Sequence, residues 1–185
     1  MAKRGRPTTI ERGQRMNRIL DAAVMLFAAG GFEATSLDEV AARAEVTKRT
    51  LYVDVGDKAA LFTAAVDREQ NRIRTRATEA SSLQEVAAEL VFVLHSDSAV
   101  ALHRSVIAEA PRFTELAAGF YETGPQHSIG LLARALPRAD QSRATALYSL
   151  LLGEPHRRRL LALDPAPTRE AAAIHAAQAL ALLGL

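Results

Sequence analysis

The sequence predicts an all-α protein, and three observations carry that expectation. Ala and Leu dominate its 185 residues, aromatics are few and Trp is absent, a palette suited to helices because such side chains lose little freedom there. From Glu11 onward apolar residues recur at helical spacing. Ile19, Ala23, Leu26 and Phe27 fall at i, i+4, i+7 and i+8, which is one face of a helix. No stretch alternates polar and apolar residues as a half-buried strand does, and no repeat period is evident.

That first helix should stop at Gly30-Gly31, where left-handed backbone costs nothing. Ser36 followed by Glu39 is a capping box, and Leu37, Val40, Ala41 and Ala44 continue it as an apolar stripe two turns long. Thr47 can cap a third helix, Lys48 to about Asp54, with Leu51 facing inward. Asp57 can cap a fourth, long helix carrying Leu61, Phe62, Ala65, Val66 and Ile73. Further helices are expected at about 82–95, 98–109 and 111–135, the last with Pro111 at its first position. Another should run from about 139 to 162, disturbed near Gly153 and Pro155, and a final one from 168 to 183 beyond the break "LDPAPT".

Composition narrows the class. The chain has no Cys, which excludes disulfides and thiolate zinc sites. No apolar run reaches the roughly 18 residues that span a bilayer, and the charged N-terminus has no apolar core of a signal peptide, so a cytoplasmic protein is expected. The net charge of +2 hides an asymmetry: residues 1–76 carry 14 Lys and Arg against 10 Asp and Glu. The opening "KRGRPTT" has nothing to bury and reads as a basic, disordered arm over residues 1–10. A cationic arm ahead of a near-neutral body points to a polyanionic partner; a merely solvated tail is the plainer alternative.

The two short helices after Gly31 raise the sharpest question, since isolated helices of two turns are marginal. A helix-turn-helix tolerates that cost because it presents its second helix to a DNA major groove. Ala41 supplies the small residue at the helix crossing, while Val46 and Leu51 supply the apolar anchors. The outward face of the second helix would be Thr47, Lys48, Arg49, Thr50 and Tyr52. Cations reach phosphates or guanine edges, and hydroxyls bond phosphate oxygens or base edges. Ser36, Thr47 and Asp57 also read as helix caps, a role that overlaps with holding a phosphate at a helix start. Lys58, in the first turn of the fourth helix, is oddly placed for the helix dipole, and a nearby phosphate would explain it as readily as solvent would.

These residues carry a family resemblance. "SLDEVAARAEVTKRTLYVDVGDKAALF" resembles the DNA-binding domain of TetR-type bacterial transcriptional regulators over roughly residues 12–66. The resemblance implies DNA contacts by Ser36, Thr47, Lys48, Arg49, Thr50, Tyr52 and Lys58. The arm "RGRP" resembles Arg-Gly-Arg-Pro arms that enter A·T-rich minor grooves, which adds Arg4 and Arg6. Two departures stand out. Glu45 occupies the turn where the family places Gly, at a cost of order 1 kcal/mol for a left-handed residue. Asp54 stands where a cationic or aromatic residue is usual, and no DNA contact is expected of it.

The expected organisation is a basic arm (1–10), a three-helix DNA-binding domain (11–56), a connecting helix (57–79) and a helical C-terminal domain (80–185). "LHRSVIAEAPRFTELAAGFYETG" resembles C-terminal domains of the same family, more loosely, which implies ligand binding and dimerisation. Pocket residues would be drawn from His95, His103, Phe113, Phe120, Tyr121, His127 and Tyr148, each of which also reads as ordinary core or surface. Ala144, Leu147, Leu151, Ile174, Leu180 and Leu183 would pair two copies as a four-helix bundle. "HRRRLL" (156–161) reads as a solvated helix end. No nucleophile, phosphate loop, paired carboxylates or metal-ligand spacing stands out, so neither an enzyme nor a cofactor is expected. The functional expectation is a homodimeric repressor, released from a palindromic operator by a small molecule. The alternative is an all-α interaction protein whose basic N-terminus binds acidic surfaces without sequence specificity.

Overall fold

The computed structural model of the chain describes residues 8–78 and 82–185, apart from the side chains of residues 73, 74 and 76–78. Arg4 and Arg6 of the basic arm and the Ile73 side chain lie outside the described residues. Among the described residues every regular element is helical, as the sequence predicts. The chain divides into two compact units after Val66, inside one long helix.

The first unit begins with α1 (Thr9–Ala34), which starts earlier than expected because Thr8 and Glu11 form a capping box. Gly31 breaks α1 at φ 73°, where the sequence places the stop. Helices α2 (Leu37–Arg43) and α3 (Lys48–Asp54) follow, capped by Ser36 and Thr47 through the Glu39 and Thr50 amides. The Asp57 carboxylate accepts from the Ala60 amide and starts α4 (Lys58–Thr78). Phe27 and Phe62 meet edge to face at 4.8 Å, Phe32 lies within 5.2 Å of Phe62, and Ile19, Val40, Leu51 and Leu61 are fully buried around them. These long side chains are what hold the short α2 and α3, since helices of seven residues do not persist alone.

The second unit contains the rest of α4, then α5 (Leu83–Leu94) and α6 (Asp97–Glu109), which meet at 66°. The expected continuous helix over 111–135 is corrected. Pro111 lies in a turn, and the segment splits into α7 (Thr114–Tyr121), a wide π-helical turn (Glu122–Gln126) and α8 (His127–Ala135). Pro125 lies inside that turn, where its missing N–H favours irregular helical bonding. Helix α9 (Gln141–Leu160) bends at Gly153, φ 46°, just before Pro155, and α10 (Arg169–Leu182) ends the fold. The core is built by α5, α8, α9 and α10 around Leu90, Leu132, Leu147 and Leu151. Ala87, Ala172 and Ala176 are buried there too, and their small side chains permit close helix approach.

That core takes in four of the residues expected at a partner contact. Ala144, Leu147, Leu151 and Leu180 are buried within the chain. Leu183 is half-buried, and only Ile174 of the set remains largely exposed, at 53%. Among the described residues no single helix is long and apolar enough to cross a membrane.

Candidate nucleic-acid interface and an interior cavity

The turn between α2 and α3 is built by its hydrogen bonds. The Val46 amide donates to the Ala41 carbonyl at 3.0 Å and the Glu45 amide to that of Ala42 at 3.2 Å, the pattern of a left-handed helix stop. Glu45 is the left-handed residue, at φ 56°. Ala41 and Leu51 are buried and Val46 is half-buried, so α3 packs by one side only. Its other side exposes Thr47, Lys48, Arg49 and Tyr52, the last at 49%, with Thr50 half-buried.

Those side chains are partly committed. Thr47 and Thr50 hydroxyls lie 2.8 Å apart, and Lys48 pairs with Asp38 of α2 at 2.8 Å, which raises the Lys48 pKa. The pair is exposed and therefore weak, so Lys48 remains available to a phosphate. Ser36 serves the α2 cap. Lys58 donates to the Glu33 carbonyl at 3.0 Å with its ammonium 4.5 Å from the Phe32 ring, so its placement against the α4 dipole has an intramolecular explanation. Asp54 turns out to be structural. The Arg15 guanidinium grips it at 2.7 and 3.1 Å, tying α1 to the end of α3 and raising the Arg15 pKa through those hydrogen bonds.

The second unit contains a partly open cavity of about 50 Å³, where ~10–15 Å³ suffices for one water. His103, Phe120 and Tyr148, three of the residues singled out by sequence, line it together. The other four do not. His95 is buried beside the cavity-lining His156 with ring centroids 5.0 Å apart, Phe113 lies under the Arg112 guanidinium, Tyr121 is 54% exposed, and His127 starts α8 next to the lining residue Ser128 without lining the cavity itself. Residues not anticipated complete the wall: Glu69 and Gln70 from α4, Thr123 from the π-helical turn, Ser128 and His156.

Gln70 is only 4% exposed and donates to the Phe120 carbonyl at 2.9 Å, while its amide oxygen accepts from the Thr123 hydroxyl. Glu69 accepts from the Ser98 hydroxyl at 2.8 Å and lies 3.4 Å from Arg72. The His103 and His156 rings share a hydrogen bond of 3.1 Å, and burial lowers the pKa of both, His156 to about 4. "HRRRLL" is also corrected in part. Arg157 and Arg158 are solvated, but Arg159 is buried, donating to the His95 carbonyl at 2.9 Å and pairing with Asp97 at 2.5 Å. Among the described residues no group of three or more His, Cys, Asp or Glu is arranged to hold a metal ion.

A short helix pair held by a longer scaffold, with cations, hydroxyls and a tyrosine on its outer face, defines a helix-turn-helix DNA-binding protein. Residues 19–65 match the family model of bacterial regulatory proteins of the TetR family, and residues 81–183 match the C-terminal domain of AefR-like transcriptional repressors. The chain belongs to the TetR family of transcriptional regulators. The HTH-type transcriptional repressor KstR of Rhodococcus jostii is 43% identical over 63 residues, 34% of this chain and 30% of that protein. KstR of Mycolicibacterium smegmatis is 38% identical over 68 residues, 37% and 33% respectively. The match thus spans about a third of the length of these curated relatives. A solved TetR-family regulator from Mesorhizobium loti superposes with a TM-score of 0.80 at 25% identity, covering 96% of this chain and 98% of that one. The flavonoid-responsive regulator FrrA gives a TM-score of 0.68 at 29% identity, over 92% and 95%.

Proposed function

We propose that the protein is a homodimeric repressor whose α3 reads a palindromic operator and whose interior cavity takes a small-molecule effector that releases the DNA. The observation that carries the reading is the one-sided packing of α3. Leu51 is fully buried while Lys48, Arg49 and Tyr52 remain exposed together, a set able to contact phosphates and base edges at once. The effector reading is supported by the mostly apolar cavity with its few polar groups, and by the name of FrrA as a flavonoid-responsive protein. Release by an effector requires that it bind the DNA-free arrangement better than the bound one.

In-vitro selection on random duplex DNA, followed by a salt titration of the enriched sequence, tests the reading. A palindrome with a steep log-log salt slope is the expected outcome. Lys48→Ala should weaken binding and reduce the salt slope by about one, as loss of a single phosphate contact does. Tyr52→Phe should also weaken binding, and both variants should remain dimeric. Salt-sensitive binding without an enriched sequence would leave only a non-specific tether.

A further inference from the structure

We propose that the cavity of the second unit selects a compact, uncharged, single-ring aromatic ligand with a hydrogen-bonding oxygen, and turns carboxylates away. The proposal rests on the effector reading above and adds the chemistry of the ligand. Size comes first. At about 50 Å³ the cavity is roughly a third of the ~150 Å³ that takes a benzene ring, so one ring enters only as the walls move apart and anything larger is shut out.

Shape and polarity come from the walls. The Phe120 ring stacks on His103 with centroids 5.2 Å apart and 29° between planes, and Leu94, Leu102 and Leu152 supply aliphatic surface. A planar apolar ring is therefore matched on one side by stacked rings and on the others by methyl groups. Two of the polar groups offered, on His103 and Tyr148, can donate. Nδ1 of His156 is buried without a partner, and a bare ring nitrogen is tolerated there better than an orphaned N–H. His156 then donates from Nε2 to Nδ1 of His103, which leaves His103 with its proton on Nε2, free to donate into the cavity. Burial holds His103 below the usual imidazole range and pushes the Tyr148 hydroxyl above the usual phenol range, so both are neutral donors at pH 7.

Charge sets the exclusion. Among the described residues no Lys or Arg lines the cavity, and Glu69 does. Against the described lining, a ligand carboxylate would lose its hydration and meet a like charge with no cation to offset it. A ligand ammonium gains little, because the Glu69 carboxylate already accepts from Ser98 and faces Arg72.

Toluene, p-cresol, p-toluate and 4-methylbenzylamine, titrated calorimetrically against the full chain, separate these features. p-Cresol should bind at least about tenfold more tightly than p-toluate or the amine, a difference of ~1.4 kcal/mol or more. Tyr148→Phe should weaken p-cresol and spare toluene, and Glu69→Gln should narrow the gap between p-cresol and p-toluate. Unchanged toluene affinity in both variants reports an intact cavity. If toluene binds but p-toluate or the amine equals p-cresol, the ligand class proposed here is wrong while the cavity stands as an effector site. If none of the four binds, the ligand class and the effector reading fall together.

Discussion

Glu45 holds a left-handed backbone that glycine adopts at no steric cost, and the hydrogen bonds of its turn leave it no alternative. Glu45→Gly should therefore stabilise the first unit by about 0.5–1 kcal/mol, the relief of strain exceeding the extra freedom of the unfolded chain. Urea denaturation followed by circular dichroism would show it as a higher midpoint at unchanged slope, and a lower midpoint would mean that the strain is absent. Asp54 shows a residue acting far from its apparent purpose. Among cations and hydroxyls it looks like an electrostatic flaw, yet its fork-to-fork pair with Arg15 fixes where α3 leaves α1. Asp54→Ala should lower stability and weaken operator binding together. If DNA affinity fell with the melting temperature unmoved, Asp54 would be acting on the DNA and not on the fold.

The π-helical turn is the element that gives the cavity one of its walls. A Cβ built on Gly124 lies 2.6 Å from Nε2 of Gln70, so the turn approaches α4 as closely as glycine permits. Gly124→Ala must push Gln70 aside and break its bonds to Phe120 and Thr123, costing roughly 1–2 kcal/mol of stability at ~0.5–1.5 kcal/mol for each hydrogen bond. Thermal unfolding of the variant checks this, with Ala substituted for the open Gly119 as control. Helix existence was legible from spacing and caps throughout, because capping boxes and apolar stripes are local signals. Gln70 was missed, although a signal was there: Phe62, Ala65, Val66, Glu69 and Gln70 continue one buried face at steps of three and four, and polar residues within such a stripe mark an interior polar site. The π-helical turn and the His95–His156 stack were not, because both depend on contacts between segments about fifty or more residues apart.

Two features belong to the molecule as a whole. Helix α10 is apolar nearly all round. Its inner face, Ala172, Ala176, Ala179 and Leu180, is buried within the chain, while Ile174, Ala177, Ala181 and Leu182 are exposed on the outer face beside Glu170 and Gln178. Exposed apolar side chains on that outer face favour a second burial surface, and the proposed dimer contact is assigned there. Ile174→Glu should yield monomers by light scattering, and an unchanged dimer would move the interface elsewhere. The second feature gathers histidines from four segments, His95 after α5, His103 of α6, His156 of α9 and His175 of α10, beside the buried Arg159 and its partner Asp97. Burial first, then His156, His175 and the Arg159 charge, lowers His95 to about 3; burial, His103 and Arg159 lower His156 to about 4. The unfolded chain takes up protons at both positions as pH falls through about 6.5, whereas the folded form does not until about pH 4 and below. Acid therefore favours unfolding, and stability is lost progressively from about pH 6.5 downward. The urea midpoint should fall between pH 7 and pH 5, and His156→Gln should flatten that fall by removing one of three linked protons, since burial lowers His103 as well. A wild-type midpoint level across that range would show that these histidines take up protons without unfolding, and that water reaches them in the folded protein.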